Sequence, residues 1–113
     1  MGVMWMPRGI PAKGVMEARR RAMGLLKDTL VREGRSQAWL VRELGRRGFS
    51  TSQQSMSNYV NGYSRITRPM LGAACILACG NNGHMGEMLR DNILSAAGDE
   101  SLLIQGKRQT ASA

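Results

Sequence analysis

Residues 51–62 crowd amides and hydroxyls into one short stretch: Thr51-Ser52-Gln53-Gln54-Ser55-Met56-Ser57-Asn58-Tyr59-Val60-Asn61-Gly62. An amide side chain carries a donor and an acceptor on one planar group, so it can bond two atoms of a flat hydrogen-bonding edge at once. That chemistry is recognition, since amides are poor nucleophiles and poor proton carriers. Around the stretch lie Arg42, Arg46, Arg47, Arg65 and Arg68. Their planar forks match the paired oxygens of phosphate groups. Groups that break bonds are sparse by comparison. His84 is the one histidine, and Cys75 and Cys79 are the only cysteines, set among Ala74, Ile76, Leu77 and Ala78 as buried free thiols would be. The acids form no catalytic pair, and no Gly-rich phosphate loop follows a strand. The expectation is a non-enzyme with no catalytic residues, no metal and no cofactor.

The charge points the same way. Across 113 residues there are sixteen Lys and Arg against eight Asp and Glu, a net +8. Residues 1–68 hold thirteen of these cations and four acids, giving +9, and residues 69–113 hold three and four, giving −1. Such an imbalance calls for a polyanion. A membrane surface is disfavoured because no segment sets a basic face against a long exposed apolar one. RNA is disfavoured because aromatics, at 4% of residues, are too few for a stacking platform. No run approaches the ~18 apolar residues of a membrane span and the start lacks a signal-peptide core, so a cytoplasmic, nucleoid-associated location is expected.

Helical periodicity supplies the elements that must position these groups. Pro7, Gly9 and Pro11 make residues 1–13 a flexible basic arm carrying Arg8 and Lys13, which either lies in a groove or stays an unstructured extension. Val15, Ala18, Ala22, Leu25, Leu26, Thr29 and Leu30 recur at helical spacing, predicting a first helix over about 14–33. Gly34 stops it, and Ser36 caps a second helix from Gln37 with Leu40, Val41 and Leu44 inside. That helix ends in a glycine cap at Gly48, with Phe49 folding back onto it. Ser50, Thr51 and Ser52 are candidate caps for a third helix over about 53–61, with Met56, Tyr59 and Val60 inward. Thr67 and Pro69 open an almost wholly apolar, central fourth helix. A fifth follows over about 84–97 with Met85, Met88, Leu89, Ile93 and Leu94 as its buried stripe, and then a tail over 98–113 whose Leu102-Leu103-Ile104 either adds an edge strand to a second subunit or closes the monomer core, before a disordered end.

The second and third helices, Gln37-Ala38-Trp39-Leu40 followed by Gln53-Gln54-Ser55 and closing on Asn61-Gly62, resemble the helix-turn-helix of the lambdoid phage repressor and Cro family. Arg68-Pro69 is similar to the start of that family's next helix. The likeness covers roughly residues 15–80. It implies an all-α, five-helix lambda-repressor-like DNA-binding domain over 14–97, with the helix-turn-helix at about 36–62. Two departures stand out. The turn is longer than the family's by Arg46-Arg47-Gly48-Phe49-Ser50, and Val41 sits where the family usually has alanine.

A protruding third helix fits the major groove of duplex DNA, where Gln bonds adenine N6 and N7 together and Asn or Ser does so by shorter reach. Gln53, Gln54, Ser57 and Asn58 are accordingly the base-reading candidates. An ordinary polar helix face is the plainer alternative for Gln53-Gln54-Ser55, and core packing rather than base stacking is expected of Tyr59. Arg42, Arg46, Arg47, Ser52, Arg65 and Arg68 are expected on the sugar-phosphate backbone, and the resemblance implies the same of Gln37. Such binders act in pairs on half-sites one helical turn apart. Met85, Met88, Leu89, Ile93 and Leu103 are candidates for a homodimer contact, or else they close the monomer core. The expected function is a sequence-specific double-stranded DNA-binding transcriptional regulator of phage or mobile-element type, with no small-molecule ligand. The alternative is a DNA-organising or partition-type accessory protein, or a DNA-binding subunit of a larger nucleoprotein complex.

Overall fold

A computed structural model describes residues 13–98 and 102–104, the Lys13 side chain excepted. Five helices follow one another: α1 (Lys13–Arg32), α2 (Gln37–Arg46), α3 (Gln53–Val60), α4 (Arg68–Ala78) and α5 (Gly83–Ala97). The protein is therefore all-α, as its periodicity indicates. Lys13 is the first residue of α1 rather than part of an arm, and Arg8 lies outside the described residues.

Short polar residues start the helices. Ser36 accepts a bond from the Trp39 amide at 3.0 Å, Ser52 from the Ser55 amide at 3.0 Å, Thr67 from Met70 at 3.3 Å and Asn82 from Met85 at 3.0 Å. Each satisfies an amide that the first turn leaves without a helical partner. Of the three candidate caps before α3, Ser52 is the one used.

One apolar face per helix builds the core. Ala22, Met23, Leu26 and Leu30 of α1 meet Leu40 and Leu44 of α2, Met56 and Val60 of α3, and Leu71, Ala74, Cys75, Leu77 and Ala78 of α4. Trp39, Val41, Phe49 and Tyr59 pack half-buried at its margin, so the fully buried interior is aliphatic and sulfur-containing. Helix α4 is central, touching α1, α2 and α5. The α1 stripe buries Ala22, Leu26, Thr29 and Leu30 as expected, but it takes in Arg19 and Met23 and leaves Val15 and Leu25 each 37% exposed.

Helix α5 packs Leu89, Ile93 and Leu94 against the core as expected, and differs at its N-terminal end. Gly86, Ile93 and Leu94 are buried, whereas Met85 and Met88 stand about half exposed. The reason is a close approach of two backbones. A Cβ on Gly86 would lie 2.6 Å from the Ile76 Cα and 2.8 Å from its nitrogen, so only glycine lets α5 settle onto α4 in this orientation. Beyond α5, the Ile66 amide donates to the Leu102 carbonyl at 3.1 Å, and the Ile104 amide donates to the Ile66 carbonyl at 3.1 Å. The Leu102-Leu103-Ile104 run is thus paired within its own chain, as a single parallel bridge.

Candidate nucleic-acid interface

Helix α3 is too short to be stable alone, so its position depends on what lies beneath it and at its ends. Met56 and Val60, fully or nearly fully buried, anchor its underside. That leaves Gln53 and Gln54 exposed, and Ser57 and Asn58 half-buried on the flank. The Gln54 Nε2 donates to Asn58 Oδ1 at 3.2 Å, and Asn61 Nδ2 donates to Ser57 Oγ at 3.2 Å. The first bond holds two amides side by side with the Gln54 oxygen as a remaining acceptor and the Asn58 nitrogen as a remaining donor. Such a pair complements a base edge that shows one donor and one acceptor. The second occupies the Ser57 oxygen as an acceptor and leaves its hydroxyl proton as a remaining donor.

The longer turn keeps α2 and α3 together by a specific device. The Phe49 amide donates to the Leu44 carbonyl at 2.9 Å and the Gly48 amide to the Gly45 carbonyl at 3.1 Å, with Gly48 in the left-handed region at φ 92°. This pair of hydrogen bonds closes α2 and directs Phe49 back against the core, as its sequence implies. At the other end of α3 the same arrangement recurs. The Tyr63 amide donates to the Asn58 carbonyl at 2.9 Å, the Gly62 amide donates to Tyr59 at 3.2 Å, and Gly62 has φ 86°.

The expected backbone-contacting residues divide into groups. Gln37 is half-buried in the first turn of α2, beside the Ser36 cap, and Ser52 caps α3. Arg42, Arg46, Arg47, Arg65 and Arg68 are all exposed. Arg46 faces Glu43 at 3.7 Å, a solvated pair that holds it weakly. Arg47 donates to Asn81 Oδ1 at 2.7 Å, tying the end of α2 to the turn between α4 and α5. Arg35 stacks 4.5 Å over the Trp39 ring.

The candidates for a subunit contact do not stay together. Ile93 and Leu103 are buried in this chain's own core, and Leu89 packs half-buried against it. Met85 and Met88, at 51% and 50% exposure, remain at the surface.

Among the described residues one cation, Arg19, is withdrawn from solvent. It belongs to an all-cationic triplet, Arg19-Arg20-Arg21, yet it is 5% exposed while its two neighbours are solvated. Its Nη1 donates to the Gly62 carbonyl at 3.2 Å. Burial, and after it the charge of Arg65, pushes the Arg19 pKa below its ordinary value. A trace of this is visible in the spacing, because Arg19 precedes Met23, Leu26 and Leu30 on one helical row.

The cysteines carry no activated nucleophile. Burial pushes Cys75 up to about 12, and Cys79 is also raised, chiefly by burial. Among the described residues no cluster of three His, Cys, Asp or Glu side chains could hold a metal ion, and no helix is long and apolar enough to cross a membrane. Comparison with protein-family models, curated proteins and solved structures returned no match.

Proposed function

We propose that the protein is a sequence-specific double-stranded DNA-binding regulator that acts as a homodimer on a palindromic site. The observation that carries this is the outer edge of α3: Gln53 exposed, Gln54 bonded to Asn58 at 3.2 Å, and both backed by a buried Met56. A row of amides held in place by its neighbours loses less side-chain freedom on meeting a base edge than a mobile row would. The exposed Arg42, Arg46, Arg65 and Arg68 supply the sequence-independent attraction to phosphates. Gln37 and the Ser52 cap lie at helix N-termini, where amides and the helix dipole favour an anion. For the second subunit, Met85 and Met88 are the candidates that remain at the surface. A resemblance to lambdoid repressors, a phage or mobile-element origin and a nucleoid-associated location all belong to this proposal.

Binding to random duplex and to duplex selected from a random pool, each titrated with salt, tests it. A regulator should prefer its selected site by about 10³-fold or more at physiological salt. Equal affinity for every duplex would exclude it and favour the DNA-organising or partition-type alternative. No binding to either would exclude both.

A further inference from the structure

Among the described residues Arg19 is the one charged side chain withdrawn from solvent. A guanidinium carries five N–H donors and loses its hydration when buried, so its donors must find acceptors within the fold. Its place in the fold accounts for a cation there. Helix α3 ends without a basic residue in its last turn, although a cation there would complement the negative end of the helix dipole. Arg19 supplies that cation from another helix, through the Gly62 carbonyl at 3.2 Å. The contact is continuous with a backbone approach. A Cβ on Gly62 would collide with the Met16 carbonyl oxygen and lie 3.2 Å from the Arg20 nitrogen. One turn of α1 therefore grips the exit of α3 on both sides of Arg19. Asn58, at the end of the outward amide pair, accepts from Tyr63 and Ser64 at 2.9 and 3.3 Å, so the gripped loop is bonded directly to that turn.

We propose that Arg19 is a positioning residue, which from α1 fixes the exit of α3 through the Gly62 carbonyl and so sets the angle at which Gln53, Gln54 and Asn58 meet the base edges. This rests on the DNA-binding function proposed above. Arg19 touches no base and no phosphate, and its contribution is to discrimination rather than to attraction.

Three readouts on Arg19→Met test the assignment, with folding checked by circular dichroism at the binding temperature. Preference for the selected over the random duplex is expected to fall roughly tenfold or more, as expected for loss of a charge-assisted bond. Affinity for random duplex and its salt dependence are expected to stay as in the parent. Hydrogen exchange at the Tyr63 amide is expected to quicken by a similar factor. Arg19→Gln, shorter and neutral, takes its place should the Met variant not fold, with the same expectations. Unchanged preference in a folded variant would overturn the proposal, as would equal losses on both duplexes. A salt slope lower by about 0.9 would make Arg19 a phosphate ligand instead, and would overturn it too. If the parent protein itself prefers no duplex, the DNA-regulator function fails, and the exchange readout still judges the grip on α3. Unaltered Tyr63 protection would then overturn that grip.

Discussion

The α2–α3 pair and the α4–α5 pair hold themselves together in opposite ways. In α4–α5 two backbones approach closely at Gly86 and Ile76, and Leu71, Ala74, Cys75 and Ile93 of the two helices join the buried core. In α2–α3 the helices are short, and the turn between them is held by the Ser52 cap and the pair of hydrogen bonds from Gly48 and Phe49 to α2. Close backbone contact and apolar packing hold the first pair, so volume added at Gly86 is what would break it. The second depends on individual hydrogen bonds and leaves one polar edge open. A molecule built this way separates stability from recognition, and substitutions can test that division.

The largest effect is expected at the α4–α5 contact. Gly86→Val must push its branches into the Ile76 backbone, and should cost at least about 3 kcal/mol, read as a lowered Tm. A loss below about 1 kcal/mol would show that the helices separate readily. Gly62→Ala comes next, at roughly 2–3 kcal/mol, because it adds left-handed strain to the collision with Met16. It should also weaken preference for a selected duplex more than binding to a random one. Gln54→Ala should leave Tm within about 0.5 kcal/mol of the parent, since the residue is exposed, while lowering affinity for the selected duplex by ~1–3 kcal/mol. Equal loss on random duplex would remove Gln54 from the base-reading set. Ser52→Ala, removing the cap of α3, should cost about 1 kcal/mol.

The smallest effect at neutral pH concerns Cys75. Its folded pKa of about 12 lies above the ordinary 9.0, so the folded state favours the protonated thiol. Up to about pH 9 both states hold the proton and stability does not change. Above that the unfolded chain ionises first, and stability falls by up to about 1.4 kcal/mol per pH unit as pH rises toward 12. Denaturant midpoints at pH 8, 9 and 10, compared with a Cys75→Ala variant, would show whether that slope belongs to this thiol.

Much of the fold was legible because its signals are local. Ser36, Thr67 and Pro69 announce helix starts, and Gly34, Gly48 and Gly62 announce stops, each through its own backbone and side-chain chemistry. The α2 stripe of Leu40 and Leu44 and the α3 stripe of Met56 and Val60 follow from spacing. The α5 stripe followed at Leu89, Ile93 and Leu94 but not at its start. Met85 and Met88 are more hydrophobic than Gly86, so composition turns the helix toward them, whereas the close approach to Ile76 turns it away. Leu102-Leu103-Ile104 has the pattern of an exposed strand, but its partner, Ile66, is distant in sequence. Arg19 escaped for a like reason. The carbonyl that accepts its bond lies at Gly62, on another helix's exit, so the helical row it shares with Met23, Leu26 and Leu30 marks its burial but not its partner.

The sequence by itself determined where the helices begin and end, which residues of α2 and α3 turn inward, and that positive charge is concentrated in residues 1–68. These depend on capping, periodicity and composition, which act over a turn or two of chain. Tertiary structure alone decided which cation would be buried, which residues at the start of α5 would meet α4, and how the end of α3 would be held. Each of those outcomes turns on the distance between two backbones remote in sequence, and an interaction that falls off within a few ångströms is settled only when the helices pack.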